Sequence, residues 1–207
     1  MDVKAPFARC RECPLMDQEF VPGNGPPETD LVVVGQAPGD QEVEQREPFV
    51  GPAGGRLRRA LASLGVDDSK VHFTNTVLCH PGKSEKTNRD KSPPAKAKAA
   101  CHERLKREVK GTGARWILAV GAVAAARVTG KRVVVSRFRC SFLRRSLSPD
   151  GLGGDALVGI THHPSASFPM SLLVADIRCL LSFRYNGRPP DVHGEDERWR
   201  SSPPASE

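Results

Sequence analysis

The sequence has no apolar run long enough to cross a bilayer, which excludes a helical membrane protein. Aromatic residues are scarce: eight Phe, two Trp and one Tyr, 5% in all. The core is therefore expected to be aliphatic, mainly Val, Leu and Ala. Residues 1–12 lack the apolar stretch of a secretory signal. Without such a signal, the six cysteines do not read as a disulfide scaffold. There is no internal repeat. A soluble cytoplasmic protein is the expectation.

A chain of 207 residues suits one domain with a substantial core. Lysine and arginine number 31 against 24 acids, for a net charge of +7. The excess is uneven. Residues 83–98 hold Lys83, Lys86, Arg89, Lys91, Lys96 and Lys98 against only Glu85 and Asp90, and Arg139, Arg144 and Arg145 form a second cluster. Basic clusters suit a polyanion such as DNA, although a solubilising surface has the same composition.

Residues 31–34 form a continuous apolar run ending at Gly35, the pattern of a buried parallel strand. Residues 71–77, 116–120 and 156–160 read as three more strands. Residues 52–64 place Leu57, Ala60, Leu61 and Leu64 at helical spacing, and Gly65 is the stop signal. Residues 95–109, 122–128 and 169–183 are further predicted helices, and residues 133–142 are expected to be extended. The fold class is α/β: three α/β/α layers around a mainly parallel, four-stranded sheet. One domain over residues 1–185 and a disordered tail over 186–207, rich in Pro, Gly, Ser and charge, complete the organisation. Ligands of such sheets bind at the carboxyl ends of the strands, where Gly35, Asn75 and His163 should converge.

Cys10 and Cys13 form a Cys-x-x-Cys pair, with Cys79 and Cys101 as candidates for the other half of a metal site. A redox pair normally sits at a strand–helix junction, whereas this one precedes any strand. Four thiolates suit zinc as well as an iron–sulfur cluster, and spacing does not separate them. Cys140 and Cys179 lack evident partners and read as buried structural cysteines. The loop Gly35-Gln36-Ala37-Pro38-Gly39 is built of small residues, suited to close approach of a ligand to the backbone. Phe49, between Pro48 and Val50-Gly51, is placed to stack on a base rather than to fill a core. Asn75 carries a donor and an acceptor together, as reading a pyrimidine edge requires. His162 and His163 before Pro164 are poor core residues, and one can donate a hydrogen bond to charge developing on a leaving group.

Taken together, Val21-Pro22-Gly23-x-Gly25-Pro26-Pro27 leading into residues 31–39, then Glu42, Pro48-Phe49-Val50-Gly51, Thr74-Asn75 four residues before Cys79, and His163-Pro164-Ser165 resemble the family 4 uracil-DNA glycosylases. The resemblance runs from about Cys10 to Phe183, and a related cross-linking branch shares several of these motifs. It implies that Cys10, Cys13, Cys79 and Cys101 ligate a structural [4Fe-4S] cluster. It implies that Phe49 stacks on the extruded base, Asn75 reads it, and His163 stabilises the departing base anion. Gln36 and Glu42 fall where the family has carboxylates near the reacting sugar, and Asp40 or Glu42 could stabilise the cation and orient water. Gly35 and Ala37 would line the base pocket. Lys83, Lys86, Arg89, Lys91 and Ser165 would contact DNA, the expected partner of a chain that binds no membrane and acts as a monomer.

Three departures stand out. The family has Gly-Glu where this chain has Gly35-Gln36, and an amide cannot take a proton as a carboxylate does. Leu78 replaces the lysine usual before the third cysteine. The gap between Cys79 and Cys101 is longer and strongly basic, yet lacks the Arg-Ile-His motif of the cross-linking branch, so covalent capture is not expected. No lysine occupies a motif position, so neither is a Schiff-base lyase. The expected activity is hydrolysis of the N-glycosidic bond of a flipped-out pyrimidine, uracil or a modified one. Two alternatives are a defence glycosylase excising a bulky 5-modified pyrimidine such as glucosylated hydroxymethylcytosine, and a non-catalytic DNA-binding module.

Overall fold

The apolar, largely β-branched runs become strands in the computed structural model, which describes residues 4–140, 142–144, 151–152, 156–165 and 167–186. The strands are β1 (Leu31–Gly35), β2 (Val71–Asn75), β3 (Trp116–Val120), β4 (Phe142–Arg144) and β5 (Leu157–Thr161). The helices are α1 (Asp40–Gln45), α2 (Pro52–Ser63), α3 (Ala95–Ala100), α4 (His102–Gly111), α5 (Gly121–Thr129), α6 (Val135–Phe138) and α7 (Met170–Asn186). Spatial order in the sheet is β2-β1-β3-β5-β4. The first four run parallel, as expected; the three-residue β4 adds an antiparallel edge.

Every residue of β1 and β3 is buried, because helices cover both faces of the sheet. On one face Val32, Val34, Ile117, Ala119, Val158 and Ile160 pack with Leu105 and Val109 of α4 and Ala124, Ala125 and Val128 of α5. On the other, Leu31, Val33, Phe73 and Leu118 meet Leu57 and Leu61 of α2 and Leu173, Ile177 and Leu180 of α7. Each of these leucines and isoleucines, buried completely or nearly so, stabilises the fold by roughly 1.5–3 kcal/mol. Helix α2 starts with Pro52 at a position where its missing N–H costs nothing, and ends before Gly65, whose φ of +75° favours glycine. The chain steps from β1 to β2 on one side, then back across to β3 on the other. The crevice beyond the carboxyl ends of these strands is the natural ligand position.

Three local expectations differ from what forms. Residues 40–45, read as loop, are α1: the Glu42 carboxylate reaches back to accept the Gly39 N–H at 3.1 Å and caps the first turn. Residues 133–142, read as extended, contain α6, since Val135 and Phe138 lie one turn apart and bury the same face. The single helix expected over residues 95–109 is two, parted at Cys101. Helix α7 runs through Asn186; the tail expected to be disordered otherwise falls at residues 187–207, outside the described residues, as do Arg145 and the Arg144 side chain. Among the described residues no helix is long and apolar enough to cross a membrane.

Candidate active site

Gly35 closes β1 and sits in register with Asn75, the last residue of β2. A Cβ on Gly35 would stand 2.7 Å from Phe49 Cζ and would also collide with the Asn75 amide oxygen. The aromatic ring and the carboxamide therefore both lean on one bare backbone position. Each is held from behind. Phe49 has φ +59°, a left-handed conformation costly for a bulky residue, and its carbonyl accepts Arg58 Nε at 3.0 Å. Arg58 also binds the Pro48 carbonyl, Glu47 and Asp68, and lies over the Phe73 ring. Gly54 of α2 lets the helix press directly on the Phe49 backbone, where any Cβ would clash.

Behind Asn75 stands Arg104, a buried guanidinium of α4. Its Nη2 donates to the Asn75 carbonyl at 2.6 Å and the Thr76 carbonyl at 3.1 Å; its Nη1 donates to Thr74 Oγ1 and to Glu108. His72 completes the group, 2.9 Å from Glu108. Burial alone would raise the Glu108 carboxyl, but the His72 hydrogen bond and the Arg104 charge outweigh it and hold the pKa below the ordinary value. The Gly35 carbonyl accepts both the Thr76 N–H and hydroxyl, and the Gln36 carbonyl accepts Val77 N–H, which fixes the loop after β1 against the end of β2.

Glu42, on the inner turn of α1, has both oxygens engaged: Oε2 accepts Gly39 N–H and Oε1 accepts Gly51 N–H at 2.6 Å. It ties the two loops that carry Gly39 and Phe49. His163 follows β5, with its Cα and Cβ against Gly121, which opens α5 just after β3. His163 is exposed as a residue, but neighbouring protein atoms partly desolvate its ring. That desolvation lowers its pKa, although the Asp90 and Glu42 carboxylates pull it back up. The ring is thus neutral at pH 7 and can donate a hydrogen bond. Its carbonyl accepts Ser165 N–H at 2.8 Å, and the Ser165 hydroxyl meets Ser167.

The basic insertion folds back on itself. The Lys83 and Asp90 backbones pair as a β-bridge, Ser84 N–H donates to the Arg89 carbonyl, and Lys91 N–H to that of Gly82. Lys86, Arg89 and Lys91 are exposed along it, whereas Lys83 pairs with Asp40. The fold also returns Asp90 to the cleft, where its Oδ2 lies 3.1 Å from the place a Gly39 Cβ would occupy. His80 sits under the hairpin, its Nε2 3.4 Å from Asp40 and 3.5 Å from Asp90.

The four cysteines line one cavity together with Lys4, Ala8, Leu15, Met16 and Ala100. Cys10 starts a short 3-10 turn, Arg9 N–H donates to the Ala100 carbonyl, and Phe20 forms a backbone β-bridge with Cys79, so the N-terminal segment docks on the region between Cys79 and Cys101. Burial pushes the Cys79 thiol up to about 11, against the pull of Lys4 and with the neighbouring thiols adding. Four thiolates on one zinc would stand about 3.8 Å apart, given bonds of about 2.3 Å. Among the described residues, only Asp40, His80 and Asp90 bring three such ligand atoms within 4.8 Å of one another, so the cysteine sulfurs are spread too widely for one ion. Ala37, read as a pocket residue, packs against the cluster formed by Leu15, Val77, Cys79, Ala97 and Cys101, so the loop and the cysteine region share a wall. Cys140 and Cys179, read as lacking partners, hydrogen-bond to each other beside Asp176. The turn at Cys140 brings its sulfur to α7, a contact 39 residues away in sequence that spacing does not reveal.

Phe49, Asn75 and Gly35 are in contact, and His163, Glu42 and Asp90 share the adjoining part of the cleft. Sequence reasoning missed Arg58, Arg104, His80 and Asp90. Only the Arg104–Glu108 spacing of four on one helix was there to be seen.

A family profile described as "Uracil DNA glycosylase superfamily" matches residues 22–171. A "Type-4 uracil-DNA glycosylase" of Thermotoga maritima is 32% identical over 160 residues, 76% of this chain and 77% of that protein. Proteins of the same description from Archaeoglobus fulgidus and Pyrobaculum aerophilum are each 36% identical, over 60% and 56% of this chain. The chain spans 60% and 57% of the length of those two relatives.

Proposed function

The chain belongs to the uracil DNA glycosylase superfamily, in its type-4 branch, and from that premise we propose that it hydrolyses the N-glycosidic bond of a flipped-out pyrimidine in DNA. The observation that carries the reading is the meeting of Phe49 and Asn75 on Gly35, at the carboxyl edge of the sheet, with His163 in the adjoining cleft. A duplex hides the bond, so the nucleotide swings out before reaction. Its base lies against the Phe49 ring, and the Asn75 carboxamide pairs with the pyrimidine edge. The C1′–N1 bond breaks with its electron pair passing to the base. The neutral His163 ring donates a hydrogen bond to the negative charge that develops on the departing base. Glu42 acts as a positioning residue, since both its oxygens hold backbone amides. Lys86, Arg89 and Lys91 grip phosphate.

The cysteines fit a [4Fe-4S] cluster ligated by Cys10, Cys13, Cys79 and Cys101, whose work is structural. Bound there, it would tie the N-terminal segment to the region between Cys79 and Cys101, beside the wall that Ala37 shares.

The relatives carry uracil in their names, and uracil is the first substrate to test. The protein is incubated with duplexes bearing uracil and with DNA containing hydroxymethylated or glucosylated cytosine, and the freed base is identified by mass spectrometry. Release of one pyrimidine, abolished in His163→Ala, supports the reading and names the substrate. DNA binding without base release under single-turnover conditions would refute it.

A further inference from the structure

Hydrolysis needs a group to orient and deprotonate the attacking water, and the cleft offers few. Gln36 is an amide and takes no proton. Both oxygens of Glu42 accept backbone N–H groups. Asp40 is ion-paired with Lys83. His163 is used on the leaving base. There remains Asp90, delivered by the hairpin. Its Oδ2 overhangs Gly39, and it lies within electrostatic reach of His163.

We infer that Asp90 is the carboxylate that holds the attacking water, so that the basic insertion carries a catalytic residue as well as phosphate contacts. The inference rests on the glycosylase reading above. In the step it describes, the water oxygen bonds to C1′ as the C1′–N1 bond breaks. The electron pair leaves with the base, hydrogen-bonded to His163, and the water proton passes to Asp90. Asp90 is half-exposed and has one oxygen on each side of its task. Oδ1 faces His80, and Oδ2 faces the cleft. Gly82 N–H donates to His80 Nδ1 at 3.3 Å, so in the neutral ring Nε2 carries the proton, 3.4 Å from Asp40 and 3.5 Å from Asp90. A ring in that tautomer has no lone pair at Nε2 for a cation. The hairpin contacts at Lys83, Ser84 and Lys91 set the loop's return and hence the position of Asp90. Catalysis and the grip on DNA are thereby joined in one element.

The test compares wild type with Asp90→Asn, which keeps shape and removes the charge. Single-turnover base release and DNA affinity are measured on the same substrate, with thermal melting as the check on folding. The expected result is a rate lowered by about 100-fold or more with affinity within about threefold. For Asp90→Ala, formate should restore part of the rate. An Asp90→Asn rate within about threefold of wild type overturns the inference and leaves the glycosylase reading standing. So does a loss of affinity equal to the loss of rate, which would make Asp90 a binding or structural residue. Wild-type protein that releases no base from any DNA tested overturns both.

Discussion

Gly35→Ala tests the pocket with the smallest possible change. The new methyl would lie 2.7 Å from Phe49 Cζ and collide with the Asn75 amide, so one or both must move by several tenths of an ångström. Neither can withdraw freely. The Phe49 backbone is pinned between the Arg58 guanidinium and Gly54, and the Asn75 backbone is pinned by Arg104. The strain therefore goes into the ring and the carboxamide, the two groups proposed to hold the base. Inserting one carbon into a packed site costs about 1–3 kcal/mol of stability. A displacement approaching 1 Å in a positioning group costs on the order of 100-fold in rate. The expected outcome is a folded protein, melting several degrees lower, whose single-turnover base release falls about 100-fold on its best substrate. Differential scanning calorimetry and a rapid-quench release assay measure the two effects. A variant that releases base within twofold of the wild-type rate would refute the idea that Phe49 and Asn75 form the base pocket.

Arg104→Met should cost about 3–5 kcal/mol in urea melts, because the Glu108 carboxylate stays buried without its guanidinium and two carbonyls lose their donor. Converting Lys86, Arg89 and Lys91 together to glutamate should weaken DNA binding and flatten its logarithmic salt dependence by up to about 3 in slope; an unchanged slope would remove the hairpin from the interface. Because the His163 pKa is lowered, base release should show no inflection from His163 as pH falls through about 6.5, the ordinary imidazole value. Below that value the unfolded chain takes up a proton that folded His163 resists, so stability should fall with pH from about 6.5 until the lowered pKa is reached. His163→Gln should remove that part of the slope in melts taken across pH 5–7.

The parallel strands were readable because burial on both faces leaves only apolar, β-branched residues in runs such as 31–34 and 116–120. Helix α1 was missed although its start was written in the sequence: Gly39 and Glu42 have the three-residue spacing of a cap in which the carboxylate reaches back. The region around α6 was ambiguous, since a short apolar run satisfies either period. The site's visible walls, Phe49, Asn75 and His163, stood out because turn residues or strand ends flank them. Their supports did not stand out. Arg58 and Arg104 look like ordinary solvated charges on amphipathic helices until the fold turns them inward onto carbonyls. Asp90 read as one of two acids diluting a basic stretch, and only the closure of the hairpin gives it a place in the cleft. The pairing of Cys140 with Cys179 was hidden for the same reason: it joins the segment just after α6 to α7.

The central claim is that a nucleobase leaves the helix and lodges between Phe49 and Asn75. A crystal structure of His163→Ala bound to DNA bearing the released pyrimidine tests it most directly, because this variant is expected to keep binding while losing cleavage. The account predicts density for an everted nucleotide, its ring on Phe49, its edge paired with the Asn75 carboxamide, and its sugar turned toward Asp90. A target base still stacked in the DNA, or held at any other surface of the protein, would contradict it.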